Sequence, residues 1–254
     1  MKLQAYGFSD IGKKRQQNQD SVLVSSDLPL FAIADGMGGH QGGELASQTA
    51  LACMEKYFDA HRNEPLRDRL KNAIKSANQN IFDLAQNDIQ LRGMGTTTIA
   101  ASLDTSGGRP ELYVAHVGDS RCYLLTTQGG FQLTSDHSFV QEKLNAGLIT
   151  REQAKIDQTK NVITRSVGFE NTIEVDVTCI TPSANQVYLL CSDGLTSMLE
   201  DDEIFKIVSK ELFSGLNGSL ENAVHGLINA ANARGGEDNV TVVLIYFNSD
   251  QLNI

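Results

Sequence analysis

The chain carries the stretch LFAIADGMGGH at residues 30–40, in which an apolar run ends in Asp35 and three glycines follow within four residues. Glycine gives the backbone conformations that other residues resist and lets a ligand approach closely. Because Asp-Gly between hydrophobic runs is a strong turn signal, the stretch taken alone predicts a hairpin turn. The alternative is a hydrolytic centre built on a metal, since an acid, open backbone carbonyls and His40 lie within six residues.

The composition is typical of a soluble globular protein, with 41% hydrophobic and 20% charged residues in a chain of 254. The length fits one large domain or two small ones. No linker, low-complexity tract or repeat divides it, so we expect a single domain over residues 1–254. The 21 basic against 31 acidic residues give a net charge of −10, which predicts no nucleic-acid and no anionic-membrane partner.

The cysteines and apolar runs indicate the cellular compartment. The four cysteines have no metal-pair spacing and three lie in apolar strand-like runs, which predicts buried, reduced thiols. The N-terminus carries no long apolar stretch, and the longest uninterrupted apolar run, residues 242–247, is too short to span a bilayer. We therefore expect a cytoplasmic protein.

The spacing of apolar residues predicts strands in blocks that are separated by pairs of helices. The predicted strands cover residues 3–9, 21–26, 30–34, 96–103, 111–117, 121–126, 173–180, 186–191 and 240–247, and the predicted helices cover 43–61, 66–90, 201–213 and 220–233. Because strands joined by short turns favour antiparallel sheets, and several strands are apolar on both faces, we expect sheets packed between helical layers in an α/β sandwich.

Aspartates beside glycine recur where predicted strands begin or end. They are Asp35, Asp119, Asp193 and Asp238. Any one of them alone is typical of a turn. If the sheets bring these ends together, however, the carboxylates repel one another unless cations neutralise them. Oxygen ligands without cysteine suit magnesium or manganese, and a two-metal site of this kind serves phosphoryl displacement. The pattern therefore predicts hydrolysis at phosphorus.

The N-terminal third of the chain offers three further candidates. Arg15 could hold phosphate oxygens through its fork of N–H donors, although the basic run around it could equally be a surface loop. Asp20 could orient metal-bound waters from just before a strand. His40 could act as a general acid, although a lone histidine is more often structural.

Eight motifs in order are similar to those of one family. They are Arg15 with NQD at 18–20, ADGMGGH at 34–40, GTT at 95–97, VGDSR at 117–121, LTSDHS at 133–138, ITRSVG at 163–168, SDGL at 192–195 and EDNVT at 237–241. The chain resembles the PPM family, the metal-dependent serine/threonine protein phosphatases of type 2C, in its bacterial form. The likeness runs from residue 3 to residue 246.

The resemblance implies the fold and the metal ligands. The fold class would be α+β, a four-layer αββα sandwich of two antiparallel β-sheets flanked by helix pairs. Asp35 would bridge two manganese or magnesium ions, and the Gly36 carbonyl would bind one of them. Asp193 and Asp238 would ligate the first ion. Asp119, with Asp193, would serve a third, weaker ion.

The resemblance also implies roles beyond the metals. Arg15 would hold the substrate phosphate and His40 would be the acid, while a metal-bridging hydroxide attacks phosphoserine or phosphothreonine. Residues 138–164 would form a flap beside the cleft. Gln19 stands where many members of the family have glutamate, a difference expected to affect metal affinity rather than activity. The expected partners are phosphoproteins of a cognate bacterial Ser/Thr kinase, and the expected state is a monomer.

Two other functions compete with this one. A phosphatase-like binding module that turns over nothing is disfavoured by the complete set of aspartates. A metal-dependent hydrolase of small phosphates would use the same chemistry, and the flap sequence does not separate it from a protein phosphatase.

Overall fold

Two antiparallel β-sheets stack face to face and carry helices on their outer sides. The computed structural model describes residues 2–25, 27–213 and 219–248, except the side chains of Lys2, His40 and Gln41. The strands are β1 (Lys2–Asp10), β2 (Asp20–Ser25), β3 (Leu30–Met37), β4 (Gly95–Thr96), β5 (Thr98–Asp104), β6 (Glu111–Val117), β7 (Arg121–Thr126), β8 (Gly129–Gln132), β9 (Asp176–Ile180), β10 (Gln186–Cys191) and β11 (Val240–Asn248). The helices are α1 (Gly39–Ala60), α2 (Leu66–Asn87), α3 (Phe139–Asn145), α4 (Arg151–Ile156), α5 (Asp193–Thr196), α6 (Asp201–Leu212) and α7 (Leu220–Ala233).

The sheets have the strand orders β1-β11-β10-β7-β8 and β2-β3-β5-β6-β9, with the short β4 pairing to β3. All strand pairings are antiparallel. β1 and β11 pair along their whole length, from Lys2↔Asn248 to Asp10↔Val240. The central strands are buried on both faces, which explains why their sequences read as continuous apolar runs rather than as alternating ones.

Three apolar clusters define the four layers. The inner cluster joins the two sheets, for example through Phe31 and Ile99 of one and Tyr188 and Phe247 of the other. A second cluster packs α1 and α2 on the sheet that contains β3. A third packs α6 and α7 on the sheet that contains β11. The four-layer αββα sandwich that the motifs imply is therefore confirmed.

The local predictions agree with this fold except at a few places. The Asp-Gly segment is not a hairpin turn: β3 continues to Met37 and passes into α1, which begins before the predicted residue 43. The strand predicted over 96–103 is broken at Thr97, and the one predicted over 173–180 begins at Asp176. β8 and α5 were not predicted, because a glycine-rich four-residue strand and a single helical turn carry no apolar periodicity.

Two expectations about the compartment meet the structure differently. No helix in the described ranges is long and apolar enough to cross a membrane. Cys122 and Cys191 are buried, as predicted, but Cys53 is only half-buried and Cys179 is exposed. Ser26, the predicted end of the second strand, lies outside the described residues.

Candidate active site

The junction of β3 and α1 positions the first acid of the site. β3 continues through Asp35 and Gly36 and then passes directly into the helix. Thr97 holds the Asp35 backbone: its N–H donates to the Asp35 carbonyl (2.8 Å), and its Oγ1 accepts from the Asp35 N–H (3.3 Å). A Cβ on Gly36 would lie 2.0 Å from the carbonyl oxygen of Gly43, so only glycine lets α1 pack this close to the strand.

Four aspartates from separate parts of the chain line one cleft of about 880 Å³. They come from β3, from the turn between β6 and β7, from the start of α5 and from the loop before β11: Asp35, Asp119, Asp193 and Asp238. Gly36 lines the same cleft. The structure therefore brings together all five residues that the sequence predicts as metal ligands.

Burial and mutual repulsion raise the pKa of these carboxyl groups. Burial is the main cause of the strongly raised pKa of Asp35, and the surrounding aspartates add to it. Burial, then the charges of Asp193 and Asp136, raise the pKa of Asp119 to about 7. The pKa of Asp193 is raised by burial and by the charge of Asp238. The cluster is therefore unfavourable as a set of bare carboxylates, and it suits a cation.

Asp20 lies behind the cleft and supports Asp35. The two residues face each other in the β2–β3 pairing. The Oδ2 of Asp20 accepts hydrogen bonds from Ser192 Oγ (2.8 Å) and Thr241 Oγ1 (2.6 Å), which join the two sheets at this point. Burial raises the Asp20 pKa to about 7, although these hydrogen bonds oppose the shift. Asp20 is therefore fixed beside Asp35 by the strand pairing and by these two hydrogen bonds, and its predicted contact with metal-bound water stays a prediction.

Arg15 reaches the cleft from the loop before β2. Its Nη2 donates to Asp238 Oδ2 at 2.7 Å, and the hydrogen bond raises the arginine's pKa. Asn239, which sequence reasoning gave no role, fixes this loop: its Nδ2 donates to the Gln17 carbonyl (3.0 Å), and its Oδ1 accepts from the Gln19 N–H (2.8 Å). Its signal in the sequence was its place in the EDNVT motif, directly after Asp238.

Two further residues of the quoted motifs meet at the start of α1: Gln19 contacts it from the loop before β2, and His40 belongs to it. The side-chain amide of Gln19 donates to the Gly39 carbonyl (2.7 Å), so the residue that departs from the family pattern steadies the glycine-rich junction. His40 lies in the first turn of α1, but its side chain lies outside the described part of the structure. Its role as proton donor stays a prediction.

A stacked pair of histidines lies behind the turn that carries Asp119. His116 and His137 have ring centroids 4.5 Å apart, and ligand atoms of both lie within 4.8 Å of an Asp176 oxygen. The Gly118 N–H donates to His137 Nδ1 (3.1 Å). His137 Nε2 lies 3.3 Å from Arg165 Nη1 and 3.4 Å from Asp176 Oδ2. Both ring nitrogens of His137 are therefore in contact with other protein groups. We interpret this group as a hydrogen-bonded brace of the turn, which sequence reasoning missed.

The predicted flap, residues 138–164, contains α3 and α4 and contributes Asn161 and Ile163 to the lining of the cleft. Its two ends are joined, because the Phe139 N–H donates to the Val162 carbonyl at 2.9 Å. Inside it, Lys143 Nζ donates to Asp157 Oδ2 at 2.8 Å and links the two helical turns. Ile163, at the end of the flap, lines the cleft itself.

Comparison with known proteins identifies the family. Residues 8–145 match the family described as protein phosphatase 2C. The serine/threonine phosphatase stp of Listeria monocytogenes is 36% identical over 93% of this chain and 93% of its own length. The structure of PstP/Ppp, a serine/threonine phosphatase of Mycobacterium tuberculosis, is 34% identical with a TM-score of 0.86, and the match covers 97% of this chain and 99% of that one.

A second structure bears on the metal. The catalytic domain of PstP in complex with two manganese ions is 34% identical to this chain, with a TM-score of 0.84, 97% of this chain covered and 99% of that one. The chain belongs to the protein phosphatase 2C family. The resemblance inferred from the eight sequence motifs is thereby confirmed.

Proposed function

We propose that this chain is a metal-dependent protein phosphatase that hydrolyses phosphoserine and phosphothreonine in other proteins. The observation that carries the proposal is the convergence of four aspartates from separate parts of the chain, together with Arg15, on one open cleft. Membership of the family supports the class of reaction, and the relatives named as serine/threonine phosphatases support the substrate class.

The residues of the cleft fit manganese or magnesium. The candidate ligands are all oxygen atoms. Burial first, and then the neighbouring aspartates, raise the pKa of these carboxyl groups, and a divalent ion would stabilise their charged form. Asp35, Gly36, Asp193 and Asp238 would hold two ions, and Asp119 with Asp193 would hold a third, weaker one. When bound, such ions supply positive charge to the phosphoryl group and lower the pKa of a water molecule.

The chain's own residues supply binding and proton transfer. The Arg15 guanidinium would leave or share its contact with Asp238 to donate two hydrogen bonds to phosphate oxygens, which fixes the phosphorus above the acids. His40 would give a proton to the departing serine or threonine oxygen. Asp20, locked by Ser192 and Thr241, would keep the Asp35 carboxylate in place.

The wider setting is also part of the proposal. We infer one domain over residues 1–254, because the inner apolar cluster joins both sheets. We further propose a cytoplasmic monomer that removes phosphates added by a cognate Ser/Thr kinase. The net charge of −10 speaks against nucleic acid or an anionic membrane as a partner.

The test is manganese-dependent hydrolysis of p-nitrophenyl phosphate and of a phosphothreonine peptide by Asp193→Asn and Asp238→Asn. We expect both activities to fall at least about 100-fold, because each change removes a charged ligand from the centre. The matched control is Asp27→Asn, the same change at an exposed turn residue that does not line the cleft. Undiminished turnover in either ligand variant would contradict the metal-site assignment.

A further inference from the structure

A second cavity, of about 510 Å³, lies next to the catalytic cleft. The two cavities share Met37 and Ile163 in their walls, so the second cavity is within reach of a peptide bound in the cleft. Apart from the two shared residues, the lining of this second cavity has no role in the reaction proposed above. An extended peptide advances about 3.3–3.6 Å per residue, so a residue within about three positions of the phosphorylated one could place its side chain there.

The walls of the second cavity combine apolar and acidic side chains. Ile163 and Ile173 line it together with Phe169, whose side chain is exposed although it is a large aromatic group (63%). Glu170 and Glu174 also line it, and neither has an ion-pair partner among the described residues. Arg165 adds a positive charge, but its guanidinium is bound to Asp176 at 3.0 Å.

The outward position of Phe169 is held by the fold. Asn78 of α2 is buried, and its Oδ1 accepts from the Gly168 N–H at 2.7 Å. Its Nδ2 donates to the carbonyls of Glu170 (2.9 Å) and Asn171 (3.3 Å). Val167, which precedes Gly168, is buried and exchanges two backbone hydrogen bonds with Thr96. The loop therefore presents an aromatic ring and a carboxylate to solvent on a fixed frame.

We propose that this cavity binds a lysine or arginine side chain of the phosphoprotein substrate, close in sequence to the phosphorylated residue. The inference rests on the proposed phosphatase function. The aliphatic stem of a basic residue would pack on Ile173 and Phe169, and its charged head would meet the ring face and the two glutamates. An uncharged apolar residue would leave the glutamates without a partner, and an acidic one would be repelled by them.

The experiment compares phosphothreonine peptides that carry one lysine or arginine, moved from three residues before to three after the phosphothreonine in an alanine background. We expect the wild-type enzyme to prefer a basic residue at one or two of these positions, with kcat/KM raised about 5- to 20-fold over the all-alanine peptide. The ratio within one enzyme cancels differences in active concentration.

The variant Glu174→Gln with Phe169→Ala should reduce that ratio to about two or less, mainly through KM. Glu55→Gln, the same charge change on α1 outside both cavities, should leave the ratio unchanged. In the double variant both changed residues, Phe169 and Glu174, are exposed. An unfolding temperature close to that of the wild type shows that this variant keeps the fold. A preference that survives in the variant, or no basic preference in the wild type, overturns the inference.

The two proposals fail in different ways. If the wild type hydrolyses p-nitrophenyl phosphate and the all-alanine phosphopeptide but ignores basic residues, the phosphatase function stands and this inference is wrong. If the wild type hydrolyses neither substrate with manganese, the proposed function itself is wrong.

Discussion

Replacing Asp119 by asparagine should stabilise the metal-free protein at neutral pH, although it removes a predicted metal ligand. The Asp119 pKa is raised from the usual 3.8 to about 7, chiefly by burial and then by the charges of Asp193 and Asp136. A raised carboxyl pKa means that the folded state holds the proton more tightly than the unfolded state. Its contribution to stability is therefore present at low pH and lost as the pH rises towards 7.

The size of the effect follows from that shift. About three pKa units at about 1.4 kcal/mol each give up to about 4 kcal/mol at pH 8, and about 1–2 kcal/mol at pH 5. For a domain of this size, about 4 kcal/mol corresponds to a rise of roughly 8–16 °C in the unfolding temperature of Asp119→Asn at pH 8. The neutral amide keeps the size of the carboxyl group, so packing hardly changes.

The assay is thermal unfolding of both proteins at pH 5 and pH 8, first with a chelator and then with 1 mM manganese. Without metal, the unfolding temperature of the variant should be higher than that of the wild type at pH 8, and the difference should shrink at pH 5. Adding manganese should raise the unfolding temperature of the wild type more than that of the variant. Asp27→Asn, an exposed aspartate, should follow the wild type in every condition. A metal-free variant that is no more stable than the wild type at pH 8 would refute the reasoning.

Two further predictions follow from other contacts. Arg15→Ala should raise KM for phosphopeptides at least about 10-fold with a smaller change in kcat, as steady-state kinetics would show; an unchanged KM would remove the proposed phosphate contact. Asn78→Ala should lower the free energy of unfolding by about 2–3 kcal/mol in urea titrations, because buried backbone groups lose their partners. Asn80→Ala, which removes only an exposed hydrogen bond to the Ser76 carbonyl, should cost about 0.5 kcal/mol or less, and equal losses would speak against the buried frame.

The parts of the fold that could be predicted are those where local pattern and tertiary structure agree. The long helices α1 and α2 show their type through apolar spacing, and the buried strand β11 shows it as a short continuous run rich in β-branched residues. The aspartates beside glycine could be recognised as a set because the same residue pattern recurs next to four strands, although these strands belong to both sheets. The ordered motifs then specified the family.

The parts that could not be predicted depend on contacts between distant residues. Arg15 and Asp238 are 223 positions apart, and nothing local to either indicates that they form an ion pair. Phe169 is held outward by Asn78, which reads in the sequence as an ordinary polar residue of a helix. The continuation of β3 through Asp35 depends on Thr97 and on a helix packed behind it, whereas Asp-Gly alone indicates a turn.

The most direct test is to locate bound manganese in the crystal, because the proposed function requires the ions to lie among the four aspartates. Anomalous diffraction at the manganese edge, from crystals grown with the ion, should show two peaks within ligand distance of Asp35, with Asp193 and Asp238 around them. The same experiment on Asp35→Asn should show neither peak at comparable height. Peaks beside His116 and His137, or none in the cleft of the wild type, would contradict the claim that the four aspartates form the metal centre.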